Sequence, residues 1–365
     1  MVRAGLEGAW DCVLANDIDP MKCAAYARNW SDAALIENDV AALDPMLLQR
    51  PIDLFWGSSP CQDFSLAGKG AGLSGARSGV FTQWADVIET AVSAGFAPPI
   101  IAFENVAGLV SRAKGVDFTN VLRRLAGLGY SLGALEIDAA RFIPQSRPRL
   151  FVICLRSDLP RDGLTLQAPT GPFHSKRLRD YADQAPRDIK RNWVWWAHEG
   201  PPRRNITLHQ VLDTAPDTPW LPQAEIRRLM AMMSSPSRAK LEQARKSGQL
   251  EIGTLYKRGR PDGGGAVRQR AEVRFDGIAG CLRTPAGGSS RQTVLLIEGS
   301  RTRARLLSTR EVARLMGLED SYQMPARYNQ AYKVAGDGVA VPIVRYLDSQ
   351  IFQPALQLAA RRAVA

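Results

Sequence analysis

The 365-residue chain offers little to a metal ion or a disulfide framework: five cysteines, three histidines and no CxxC pair. Cys12, Cys23, Cys61, Cys154 and Cys281 are odd in number and widely spaced. That argues against a disulfide scaffold or a zinc site and for a reducing, cytoplasmic setting. His174, His198 and His209 show no metal-ligand spacing, so no metal is expected. No apolar run approaches the length of a membrane span, and the opening Met1-Val2-Arg3-Ala4-Gly5 lacks the apolar segment of a signal peptide. Internal repeats and long low-complexity tracts are missing too. Acidic charge runs short after residue 150. Residues 1–150 carry 13 Lys+Arg against 16 Asp+Glu, 151–365 carry 34 against 20, and 236–310 alone carry 16 against 6. So basic a half points to a polyanionic partner, most simply nucleic acid; the plainer reading is a solvated basic surface.

With 45% hydrophobic residues the chain can bury large cores, and its length fits two domains. Up to about residue 155, apolar runs predict strands at Cys12–Asn16, Ile52–Trp56, Pro99–Phe103, Tyr130–Ile137 and Leu150–Leu155. Helical patterns at Met21–Trp30, Phe81–Ala94 and Phe118–Leu128 alternate with them, which predicts an α/β domain with a mostly parallel sheet. From about 157 to 300 prolines, glycines and arginines punctuate the chain, as in a second, loop-rich module. Ser308-Thr309-Arg310-Glu311 then has capping-box spacing before a helix at Val312–Met316, and a last helix is expected near Val341–Phe352.

Polar residues gather after the predicted strands, where ligands bind in open α/β sheets. Cys61, in Ser59-Pro60-Cys61-Gln62-Asp63-Phe64-Ser65, follows the second run and is a candidate nucleophile. Asp17 after the first run suits a ribose diol or a helix N-cap. Glu104, in Glu104-Asn105-Val106, is a proton-holding carboxyl or a capping residue. Arg147 and Arg149, two apart on an extended segment, point the same way and suit an oxygen or phosphate clamp, or a surface ion pair.

Together and in order these segments resemble the DNA (cytosine-5) methyltransferases. The family's PCQ-x-F-S loop is matched by Pro60 to Ser65, its ENV by Glu104-Asn105-Val106, and its QxRxR by Gln145, Arg147 and Arg149. Leu307 to Gly317, running on to Tyr322, resembles its LTxRExARLxGFPxxY region, and Gly336 to Ile343 its closing GNAVxVPV. The match covers about 1–155 and 300–365. It implies a Rossmann-like S-adenosylmethionine-dependent methyltransferase sheet over 1–156, a smaller loop-rich target-recognition domain over 157–300, and a return to the catalytic domain over 301–365.

The resemblance makes Cys61 the thiolate that attacks carbon 6 of a flipped cytosine, and Glu104 the group that protonates or hydrogen-bonds ring nitrogen 3. Arg147 would hold the base carbonyl oxygen, with Arg149 supporting it. S-adenosyl-L-methionine is the implied cofactor, contacted by Asp17, Ile18, Asp39, Val40, Pro60, Val80, Gly336, Asp337 and Val339. Double-stranded DNA is the implied partner, with Gln62, Ser65, Arg283, Thr284, Ser289 and Arg291 as contacts. A monomer, nucleoid-associated and paired with a restriction endonuclease, fits the bacterial and phage type. Gly68–Gly79 is expected to be a mobile loop closing over the base. Trp193, Trp195 and Trp196 read as core rather than as base-stacking platforms. Two departures stand out. Met1-Val2-Arg3-Ala4-Gly5-Leu6-Glu7 resembles the helix after the family's first strand and FxGxGG-like loop, so that strand and loop are expected to be missing from the sheet. Asp337 stands where the family usually has Asn. The alternatives are a catalytically silent DNA-binding paralogue and a tRNA cytosine-5 methyltransferase.

Overall fold

In the first part of the chain, apolar runs long enough for a strand alternate with amphipathic helices. Our computed structural model describes residues 1–59, 79–261, 266–284 and 291–364. Helix α1 (Val2–Leu6) leads to β1 (Ala15–Asp17), α2 (Pro20–Ala27) and β2 (Leu35–Glu37). Then come β3 (Leu54–Ser58), α3 (Gly79–Ser93), β4 (Ile100–Val106), α4 (Val116–Gly127), β5 (Tyr130–Asp138) and β6 (Pro148–Arg156). Strands β1 and β2 form a parallel pair; the other four make a separate sheet in the order β3-β4-β6-β5. The sheet is mostly parallel, as expected: β3, β4 and β5 run the same way, and β6 alone is reversed, lying antiparallel to both β4 and β5.

Strand β4 shows why this sheet is central. Ile100 through Asn105 are all buried, as in a strand covered on both faces. Phe81, Ile88, Phe118, Val121 and Leu125 from α3 and α4 cover one face. Ile343, Leu347 and Phe352, near the C-terminus, cover the other. The α2 start is fixed locally: Pro20 supplies the first-turn φ and the Asp19 side chain accepts from Met21 N at 3.0 Å.

The stretch after residue 157 does not behave as one module. Strands β7 (Thr165–Leu166) and β8 (Trp195–Trp196) flank α5 (Lys176–Gln184) and α6 (Arg187–Asn192), and all pack on the first domain. Val194 N donates to Leu132 O at 2.8 Å, and fully buried Trp196 belongs to the C-terminal core layer. A separate core begins only beyond α7 (Leu208–Val211). There α8 (Gln223–Ala231) and α9 (Ser235–Lys246) cover an antiparallel sheet ordered β10-β9-β11-β12. Its strands are β9 (Leu250–Pro261), β10 (Val267–Arg274), β11 (Thr293–Glu298) and β12 (Arg301–Leu306). Position 300 therefore falls in the turn of the β11–β12 hairpin. Punctuating glycines and dense arginines hide a regular sheet whose exposed edges are charged.

The chain returns through α10 (Thr309–Arg314), α11 (Tyr328–Asp337), α12 (Val341–Leu347) and α13 (Gln353–Val364). The capping box forms as spaced, with Ser308 and Glu311 as its partners. Glu311 does more than cap. Its carboxylate takes both arms of buried Arg305, at 2.8 and 2.6 Å, together with Ser308 N and Asp213 N. Full use of its acceptors is what makes a buried charge tolerable, and it ties β12, α10 and the segment after α7 together. No helix among the described residues is long and apolar enough to cross a membrane.

Candidate active site

Three strand ends meet at one edge of the main sheet. Ser58, closing β3, lies in register with Glu104 of β4, and Val106 of β4 with Arg149 at the start of β6. Glu104 is only 6% exposed, and its Oε1 lies 3.1 Å from Arg149 Nε. Burial raises the Glu104 pKa; the nearby guanidiniums of Arg149 and Arg147 and a bond from Ser58 oppose the rise without cancelling it. Asn105 serves the same corner. Its Nδ2 donates to Ser59 Oγ at 2.9 Å, and its Oδ1 accepts from Val106 N at 2.8 Å. It thus fixes the last described residue before the segment that carries Cys61. Cys61, Pro60, Gln62 and Ser65 lie outside the described residues, as does Gly68–Gly79 except for its last residue.

The two arginines of the QxRxR segment take different positions. Arg149 faces Glu104. Arg147, 1% exposed, spends its guanidinium on backbone: Nη1 on Leu282 O at 2.8 Å, Nη2 on Gly336 O at 2.8 Å and on Gly338 O at 2.6 Å. The expectation that Arg147 holds the base and Arg149 supports it does not fit this arrangement, because Arg147's donors are turned onto the chain itself. Gln145, fully buried, joins the same seam. Its Oε1 accepts from Leu282 N at 3.0 Å and its Nε2 donates to Leu315 O. Cys281, which no motif or spacing singles out, also sits here, 3.5 Å from Arg147 Nη1. Burial disfavours its thiolate, but Arg147, Arg149 and Arg283 outweigh burial and bring its pKa below the ordinary thiol value.

A second corner forms where β1 ends. Asp17 is half-exposed, its Oδ1 taking Asp19 N at 2.9 Å, and Ile18 beside it is 63% exposed. Asp39 caps the short turn Val40–Ala42 by accepting from Ala41 N. Val80 is half-buried in the first turn of α3, and Val339 is buried in the C-terminal core. Gly336 is needed for close contact with the Arg283–Thr284 backbone: a Cβ there would come within 2.5 Å of Thr284 N. Thr284 Oγ1 donates to Asp337, and Lys22 Nζ lies 3.0 Å from Asp337 and 3.9 Å from Asp17. Arg283 is exposed; Arg291 is held by Asn329 and lies over the Tyr328 ring. Ser289 lies outside the described residues.

The sequence profile of the C-5 cytosine-specific DNA methylases matches residues 1–353. The chain belongs to that family. It is 31% identical over 180 residues to the Type II methyltransferase M.Eco47II of Escherichia coli, covering 49% of this chain and 41% of that one. Over 340 residues it is 24% identical to the Type II methyltransferase M.HhaI of Haemophilus parahaemolyticus, covering 92% and 86%. The chain thus spans about two-fifths of M.Eco47II and most of M.HhaI. The fold matches that of the Schizosaccharomyces pombe Dnmt2 methyltransferase, with TM-score 0.55, 18% identity and coverage of 96% and 94%. It also matches the Entamoeba histolytica methyltransferase EhMeth, with TM-score 0.58, 14% identity and coverage of 97% and 94%.

For a methylase of this family, Asp337 is the departure to explain, and Lys22 explains it. Burial lowers the Lys22 pKa, but Asp337 and Asp17 more than offset that and hold it charged. The extra carboxylate is therefore matched by a cation one turn into α2. Lys22→Met is expected to cost roughly 0.5–1 kcal/mol, since the pair is about one-third exposed and solvent-screened. Asp337→Asn in that background is expected to recover most of the loss. Urea midpoints of the two single variants and the double variant check this, and additive losses would show that the charges do not interact.

Proposed function

We propose that the protein transfers a methyl group from S-adenosylmethionine to carbon 5 of a cytosine flipped out of duplex DNA. The observation that carries this reading is the buried Glu104, its pKa raised by burial, braced by Arg149 beside the strand end from which the chain runs to Cys61. Carbon 5 of cytosine is too weak a nucleophile to take a methyl unaided. Addition of the Cys61 thiolate to carbon 6 forms the S–C6 bond and pushes an electron pair towards N3 and O2. Glu104 places its proton at N3, and Arg149 faces O2, so the charge develops where a donor and a cation already stand. The enamine-like ring then has a nucleophilic carbon 5. Once carbon 5 carries the methyl group, loss of its proton to solvent, departure of the Cys61 thiolate and return of the N3 proton to Glu104 restore the aromatic ring and the starting enzyme.

The corner at β1 suits the methyl donor chemically: the Asp17 carboxylate can accept from a ribose diol, and exposed Ile18 offers an apolar surface to an adenine. Asp39, Val40, Val80, Pro60 and the 336–339 turn would complete it. When bound, S-adenosylmethionine supplies an electrophilic methyl group. Flipping the base costs about a few kcal/mol, which contacts from Arg283, Thr284, Ser289, Arg291, Gln62 and Ser65 would offset. We expect a monomer with a cognate endonuclease as its cellular counterpart.

Expression in a host lacking cytosine methylation, followed by bisulfite sequencing, tests the reading. Sequence-specific 5-methylcytosine is expected, and none with Cys61→Ala. An unmethylated genome despite folded protein would sink it.

A further inference from the structure

Strand β9 outruns its neighbour. Leu250–Leu255 pair with β11, but, among the described residues, 256–261 pair only with 267–272 of β10. The two strands therefore leave the sheet as a two-stranded ribbon. Its register places Arg258 opposite Arg270 and Arg260 opposite Arg268. Directly opposed residues share a face, and so do residues two apart. All four arginines thus form a two-by-two array on one face, with Tyr256 and Glu272 at its base. The opposite face carries Lys257, Gly259, Pro261, Val267, Gln269 and Ala271.

Like charges directly opposite each other destabilise a strand pair, and two such pairs in succession need a counter-charge. Glu272 supplies one, bonding Arg260 Nε at 2.7 Å and Tyr256. Arg258, Arg260 and Arg268 are exposed. The ribbon projects beyond Thr293, at the end of the sheet where Arg291 and Gln292 enter from the segment of Arg283 and Thr284. A two-stranded ribbon is one of the shapes a DNA major groove admits, and arginine arrays at such positions bind phosphate oxygens.

We infer that the Arg258, Arg260, Arg268 and Arg270 face of this ribbon grips the phosphate backbone of duplex DNA beside the target base. The inference takes its polyanion, duplex DNA, from the function proposed above. The test is binding of a labelled mixed-sequence duplex across a salt series, without cofactor. Replacing all four arginines with glutamine is expected to weaken binding roughly a hundredfold near physiological salt. The log–log salt slope should fall by roughly 3 to 4, at about 0.9 for each phosphate no longer neutralised. The all-lysine variant keeps the charges and should keep most of the slope, which separates removal of charge from misfolding. An unchanged affinity and slope in the glutamine variant would overturn the inference, leaving the arginines as guards against edge-to-edge pairing. So would tighter, equally arginine-dependent binding of RNA. Wild-type protein that grips duplex through the ribbon yet never methylates DNA would remove the proposed reaction and leave the ribbon's role standing.

Discussion

Glu104→Gln is expected to lower kcat for methyl transfer by about 10²–10⁴-fold, the range for a lost general acid. The amide keeps the shape and one donor to ring nitrogen 3 but has no proton to give. The raised Glu104 pKa adds a signed pH effect. The acid form is the working form, so wild-type activity should fall as pH rises through that pKa, and the glutamine variant should lose this limb. Arg149→Ala separates the partners further. Arg149 is the strongest influence holding the Glu104 pKa down, so without it burial acts less opposed and the alkaline limb should move to higher pH. At the same time kcat should drop, because no cation faces the developing charge. Stability should change little, since Glu104 can meet the loss of its partner by keeping a proton. A pH–rate series with chemical denaturation of the three proteins checks all of this. A limb that moves to lower pH in Arg149→Ala would contradict the assignment of both residues.

The candidate catalytic corner is legible in the sequence because its residues stand in short segments at strand ends. Glu104 and Arg149 lie on β4 and β6, which the sheet pairs side by side. The second sheet, β9 to β12, is less legible, because its apolar residues are diluted by exposed arginines. Strand β9 reads Leu-Glu-Ile-Gly-Thr-Leu before its basic half, and the ladder with β11 and β10 decides its state, not local propensity. The placement of 157–196 is hidden for another reason. Val194 and Trp196 are held by long-range partners, Leu132 and the C-terminal core, which no local pattern announces. Lys22 escapes notice likewise: its partner Asp337 lies more than three hundred residues away.

The division of labour between Arg147 and Arg149 is also invisible in the QxRxR spacing, and it leads to the largest expected loss of stability. Arg147→Met is expected to destabilise the fold by about 3–5 kcal/mol, as when one member of a buried, satisfied charged network is removed. The methionine stem fills the volume, so the cost is polar. Leu282, Gly336 and Gly338 lose a charged donor where water cannot replace it. These carbonyls belong to the segment 281–284 and to the turn beside the proposed cofactor corner. Loosening them should weaken S-adenosylmethionine binding as well. Arg147→Lys should recover only part of the loss, since one ammonium cannot spread two arms over three acceptors. Urea midpoints and calorimetric titration of the donor separate the alternatives. If Arg147→Met kept full stability and lost only turnover, the residue would return to holding the base, and the seam would have to be carried by Gln145 alone.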